Sequence, residues 1–258
     1  MENTKEDDIP ILSGSALDAL KEFYTDRDAH QQKFEDLKQR AEDQADGVPL
    51  SMDAFAENWN ESQFWYSNET ATILAQELLR DAVAETVITS AICLSVMVMD
   101  GEVNIGKAGW AEDKRPKLHL LEFDERFAVF SEFSFYDFNN PLMLPAHLKG
   151  SADRVICDPP FLSEDCQTKA ALTVRWLSKS WGQDESLMSW GQADSASPSK
   201  LIVCTGERVG DVVNKLYRPQ GIATTTYLPI HANGLSNEFF CFANFECEHW
   251  TWRKLDEE

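Results

Sequence analysis

Short apolar runs separated by polar stretches limit what this chain can fold into. They are Thr86–Thr89, Leu118–Leu121, Phe133–Tyr136, Arg154–Cys157, Leu201–Cys204, Thr224–Leu228 and Phe239–Phe245. Several are apolar throughout, as strands buried on both faces must be, whereas a strand with one wet face alternates. Such strands need helices above and below. The chain supplies them: Ser67 caps a segment in which Ala71, Leu74, Ala75, Leu78, Leu79 and Ala82 fall on one helical face, and Ser163 caps a second helix predicted over Glu164–Lys179. Strand and helix in alternation predict an open α/β sheet wound on both faces.

Around this framework the chain is more polar. Residues 1–12 read as a frayed tail, and Ser15-Ala16-Leu17-Asp18 has the form of a capping box. The stretch Thr25–Gln44 reads as a solvated helix ended by Asp46-Gly47-Val48-Pro49. The expected organisation is therefore a helical extension over residues 1–50 and one domain over 51–258. Two polar insertions are expected, at about 99–117 and 181–199; around the second, Ser-Trp-Gly-Gln occurs at 180–183 and again at 189–192. Residues 54–66, AFAENWNESQFWY, are dense in aromatics.

Composition excludes several classes. No apolar run approaches the roughly 20 residues that span a bilayer, and the acidic N-terminus lacks the basic and apolar regions of a signal peptide. A cytoplasmic protein without membrane contact is expected. The six cysteines form no Cys-x-x-Cys pair, so neither a disulfide framework nor a metal site is expected. A formal charge of −21 with no Lys/Arg cluster argues against nucleic acid and favours a basic partner or a small substrate.

The chemistry concentrates at Val155-Ile156-Cys157-Asp158-Pro159-Pro160-Phe161. A buried strand ends, and an acid, two prolines and an aromatic follow. In an open α/β sheet, ligands sit beyond the carboxyl ends of the strands. Proline fixes its own φ and restricts the residue before it, so the loop is stiff. Asp158 and the Pro159 carbonyl then stand as fixed acceptors, while Phe161 excludes water. That arrangement suits an amine nucleophile, whose N–H groups are held while its lone pair points outward. An ordinary proline-rich turn is the plainer alternative.

The Asp-Pro-Pro-Phe motif resembles the signature of class I methyltransferases acting on exocyclic or side-chain nitrogens. The run Asp158-Pro159-Pro160-Phe161-Leu162-Ser163-Glu164 is similar to a stretch of the lysine methyltransferases of translation elongation factor 1-alpha, a family once labelled N-6 adenine-specific. So are Glu57–Ser67, Leu121–Phe127, Phe135–Leu142, Leu201–Gly206 and Asn237–Cys241. The resemblance spans about residues 10–247. It implies a Rossmann-like seven-stranded sheet of order 3-2-1-4-5-7-6, S-adenosyl-L-methionine as cofactor, and a lysine of elongation factor 1-alpha, a basic protein, as substrate.

On that fold, an acid at the end of the second strand accepts from the ribose hydroxyls. Glu122 is the first candidate and Asp124 the second, and Asp137 is the candidate for the adenine amino group. Surface charge and turn chemistry are the alternatives for these acids. Ser90 and Ala91 belong to the first cofactor loop, which has no Gly-x-Gly; Ile92 stands where the family has proline, and the resemblance fades from there to about Pro116. Trp59, Phe64, Trp65, Tyr66 and Asn237 are substrate-binding candidates, since aromatic walls suit a methylated ammonium. His231 reads as a loop histidine. An adenine-N6 methyltransferase and a non-catalytic binding protein remain the rival readings.

Overall fold

The computed structural model describes residues 64–93, 96, 114–181, 198–234 and 238–254. The expected N-terminal extension, Trp59, Asn237 and most of both insertions lie outside the described residues.

The strands are β1 (Val87–Ala91), β2 (Lys117–Glu122), β3 (Phe133–Phe135), β4 (Arg154–Cys157), β5 (Lys200–Gly206), β6 (Ala223–Thr224) and β7 (Phe239–Ala243). They form one sheet of order β3-β2-β1-β4-β5-β7-β6. The first five pair in parallel, and β7 runs antiparallel to both β5 and β6. This is the order implied by the resemblance. The chain crosses from β3 at one edge to β4 beside β1, so the strand order reverses between β1 and β4. There Ile88 faces Arg154 and Ala91 faces Cys157. A crevice opens beyond the carboxyl ends at such a reversal.

Burial explains the apolar runs. All four residues of β4 are buried, as are the last six of β5. Val155, Cys157, Leu201, Val203 and Phe242 share a core with Ala170, Val174 and Leu177 of the helix α2 named below. Helix α1 (Asn68–Leu79) opens on Ser67, whose hydroxyl accepts from the Thr70 amide at 3.2 Å, and Glu69 complements the positive end. Helix α2 (Glu164–Leu177) opens in the same way, Ser163 accepting from the Cys166 amide at 3.2 Å. A short α3 (Gly210–Leu216) follows β5.

Several boundaries differ from the sequence reading. The first helical face was expected to reach Ala82, but α1 stops at Leu79 and the chain turns at Asp81, whose φ is +58°. The guanidinium of Arg154 donates to the Leu78 carbonyl at 2.7 Å and to the Arg80 carbonyl at 2.5 Å, satisfying groups that a continuing helix would have used. Helix α2 likewise ends at Leu177 rather than Lys179. The sixth strand is not Thr224–Leu228 but only Ala223–Thr224. Beyond it Thr225 still donates its hydroxyl to the Cys241 carbonyl of β7 at 2.8 Å and bridges Trp252, whereas the Tyr227 hydroxyl reaches Thr70 of α1. Lys117, counted within the first insertion, is the first residue of β2 and pairs with Val87. The six cysteines are free, five of them buried.

Candidate active site

Asp158 is the first residue past β4. Its amide donates to the Ala91 carbonyl at 3.2 Å, so the backbones of β1 and β4 stay joined up to the point where the motif leaves the sheet. The carboxylate Oδ2 accepts from the Tyr66 hydroxyl at 2.6 Å. Burial pushes the Asp158 carboxyl up to about 7; the Tyr66 hydrogen bond opposes that rise and the Glu122 charge adds to it. Burial and the neighbouring Asp158 also raise Tyr66, which keeps its proton throughout the neutral range.

The loop that follows is held from behind. The Gln167 carboxamide nitrogen donates to the Phe161 carbonyl and to the Thr205 hydroxyl, both at 3.1 Å. Pro159 is buried and Pro160 half-buried, whereas Phe161 is 43% exposed with its ring edge-on to Phe138 at 5.5 Å. Gln167 was not singled out in the sequence, and its position four residues after the capping Ser163 gave little sign of this role.

The three candidate acids separate by geometry. Glu122 ends β2 and is 3% exposed; its backbone carbonyl accepts from Tyr136 and its carboxylate from the Phe123 amide, both at 2.9 Å. It lies close enough to Asp158 for its charge to be felt there. Asp124 instead caps the 3-10 turn Glu125–Val129, accepting from the Arg126 amide at 2.9 Å and the Arg126 Nε at 2.7 Å. Asp137 accepts from the Asn139 amide at 2.8 Å and the Asn140 side chain at 2.9 Å, which is turn chemistry.

Ser90 and Ala91, expected in the first cofactor loop, are instead the last two residues of β1, and both are buried. The Ser90 hydroxyl donates to the Cys93 carbonyl at 2.8 Å, and Ile92 donates its amide to Leu121 at 2.9 Å. Ile92 has φ of +60°, a conformation normally left to glycine and costly for a β-branched residue. The loop therefore keeps a left-handed turn without the glycine that usually supplies it.

The aromatic segment divides. Trp65 sets its ring edge-on to Phe127 at 6.2 Å, while Tyr66 turns to Asp158. Phe64 is half-buried beside them in sequence. His231, read as a loop histidine, is only 7% exposed; it forms an antiparallel bridge with Tyr66 and stacks on its ring at 4.7 Å.

One carboxylate–imidazole group with ligand-like spacing occurs among the described residues: Glu77, Glu248 and His249. Arg80 ion-pairs with both carboxylates, and the group lies by the carboxyl end of α1, near where β4 begins and away from Asp158. It reads as an ion-pair network.

A carboxyl pushed up by burial to about 7, at the carboxyl edge of the sheet and beside the strand-order reversal, is suited to holding an amine and taking its proton. Glu122 is buried at the end of β2, the strand on the other side of β1 from β4.

The family model described as probable N6-adenine methyltransferase matches residues 57–247. Protein-lysine N-methyltransferase EFM5 of Saccharomyces cerevisiae is 41% identical over 244 residues, covering 93% of this chain and 93% of that protein. EEF1A lysine methyltransferase 1 of Gallus gallus is 35% identical, covering 93% of this chain and 96% of its own length. The Homo sapiens protein of that name is 33% identical, covering 95% and 97%.

Proposed function

The chain belongs to the family described as probable N6-adenine methyltransferase, and on that premise we propose that it methylates a lysine of translation elongation factor 1-alpha with S-adenosyl-L-methionine. Relatives across nearly the whole chain are named protein-lysine N-methyltransferase or EEF1A lysine methyltransferase 1. The observation that carries the reading is the Asp158 carboxyl, placed at the carboxyl end of β4, joined to Tyr66 at 2.6 Å and pushed up by burial.

Lysine's ordinary pKa of about 10.4 makes the free amine scarce at neutral pH. A desolvated site lowers that value, and an ionised Asp158 accepts a proton or hydrogen bond from the nitrogen. The Pro159 carbonyl takes a second N–H, fixing the direction of the lone pair. Phe161 covers the nitrogen against water. Alignment of this kind accounts for most of the acceleration in such a transfer. The cofactor, when bound, supplies an electrophilic methyl on its sulfonium; Glu122 is the residue for its ribose. Ser90 and Ala91 shape the backbone beside it. Asp124 and Asp137 contribute by holding the adjoining turns.

In this reading residues 51–258 form the catalytic domain, preceded by an extension over 1–50, and the protein works in the cytoplasm. Trp59, Phe64, Trp65 and Asn237 belong to the substrate side. Incubation with labelled cofactor, elongation factor 1-alpha and a nucleic-acid mixture tests it. Label on a lysine of the factor is expected, and Asp158→Ala should remove it while cofactor binding persists. Label on nucleic acid alone would replace this reading with adenine-N6 methylation, for which the exposed Phe161 ring offers a stacking surface. No cofactor binding by calorimetry would leave a non-catalytic binding protein.

A further inference from the structure

Tyr66 and Asp158 are 92 positions apart in the chain, yet they share a short hydrogen bond of 2.6 Å. Tyr66 is 3% exposed and is held by a clasp between two segments remote in sequence. The Ser67 amide donates to the Ile230 carbonyl and the Ala232 amide to the Trp65 carbonyl, both at 2.8 Å. The Thr70 hydroxyl accepts from the Ile230 amide at 3.0 Å and from Tyr227 at 3.1 Å. Between these bonds His231 pairs with Tyr66, stacks on it at 4.7 Å and is itself backed by Phe239 at 4.6 Å. The connection from β6 to β7 thus grips the start of α1 and aims one phenol at the end of β4.

We propose that Tyr66 is a positioning residue for the transfer: clasped by the β6–β7 connection through His231, it fixes Oδ2 of Asp158 and leaves Oδ1 to the substrate amine. This rests on the amine-methylating reading above. A carboxylate bonded through one oxygen cannot rotate freely, so the other keeps a constant direction. The same hydrogen bond favours the ionised carboxylate, the form that accepts from an amine. The other titratable groups that act electrostatically on Asp158 do not replace it. Glu122 at the end of β2 carries like charge and opposes ionisation. The thiols of Cys93, Cys157 on β4 and Cys204 on β5 are pushed well up and stay neutral. Among these groups Tyr66 alone is a neutral donor bonded to the carboxylate.

The test is Tyr66→Phe, which keeps the ring on His231 and removes only the hydroxyl. Two measurements are made on the full chain. The first is a carbon-13 titration of the Asp158 carboxyl, assigned with Asp158→Asn. The second is the pH dependence of kcat/KM for elongation factor 1-alpha. The midpoint should rise by about one pH unit in the titration. The acid limb of the rate profile should move with it, giving at least roughly five-fold less activity at pH 7, and above about pH 9 the rate should recover to a plateau that stays below wild type, because the carboxylate has lost its fixed direction. An unchanged carboxyl midpoint overturns the proposal, and so does a loss that is uniform across pH. A shifted midpoint in a protein that never labels the factor supports the Tyr66 clamp and rejects the substrate reading.

Discussion

Asp158 is the residue at which fold and chemistry oppose each other. Its carboxyl is raised from the usual 3.8 to about 7, chiefly by burial, so the fold disfavours the ionised form that the reaction uses. The folded value lies above the unfolded one; the contribution to stability is therefore full below about pH 4 and lost as pH rises through 7. Asp158→Asn should accordingly stabilise the protein by on the order of 2 kcal/mol at pH 8, a figure reduced because solvent reaches part of the residue, and by much less at pH 5. Urea midpoints at the two pH values check this, and the same variant should lose turnover. A midpoint that does not depend on pH would remove the opposition. The candidate acids were only partly legible in the sequence. Glu122 and Asp124 were ranked for the ribose by their distance from the strand end, and Asp137 was set apart for adenine. Their local hydrogen bonds, which the sequence did not show, differ: Glu122 accepts from the Phe123 amide, Asp124 from Arg126, and Asp137 from Asn139 and Asn140. Tyr66 could be placed among the aromatics but not against Asp158, because a contact across 92 positions leaves no local pattern.

Elements were legible where one physical requirement sets them and less so where tertiary contacts decide. The start of α2 was readable because Ser163 and the acids after it are a local signal. The end of α1 was not, because apolar spacing continues to Ala82 while Arg154, from a strand 76 positions away, takes the Leu78 carbonyl. Arg154→Ala should cost about 2 kcal/mol by leaving buried carbonyls without a donor, measured as a lower urea midpoint. An unchanged midpoint would show that solvent serves those carbonyls as well. Asp81 next to it adopts φ of +58°, the left-handed conformation that usually falls to glycine or asparagine after a helix. Asp81→Gly should raise stability by roughly 0.5–1 kcal/mol, since relief of that conformation exceeds the entropy cost of glycine at an exposed turn. Differential denaturation of the pair of proteins decides the sign. The sixth strand shows the same limit in the sheet: of the five residues Thr224–Leu228 read as a strand only Thr224 belongs to β6, and by Tyr227 the side chain bonds Thr70 of α1 instead.

At the scale of the whole molecule the sheet was legible as a class from buried runs alternating with helices, while its strand order was implied only by the resemblance. Chemistry then adds a long-range term that no single contact carries. The chain has 23 Lys and Arg against 44 Asp and Glu, giving −21. Arg80, Arg115, Arg126, Lys169 and Lys179 pair with carboxylates among the described residues, which leaves the excess acidic charge to act on what approaches. A basic protein substrate is drawn toward such a field, and the attraction acts on encounter more than on the bound complex. Salt should therefore weaken kcat/KM for elongation factor 1-alpha through KM, with kcat nearly constant. Between about 50 and 300 mM salt the screening length shrinks from roughly 14 to 6 Å, and a several-fold rise in KM is expected. A short lysine peptide carrying little net charge should show a much smaller change under the same conditions. Equal salt dependence for the two substrates would mean that the acidity serves solubility alone, and that recognition of the factor rests on contacts at the site itself.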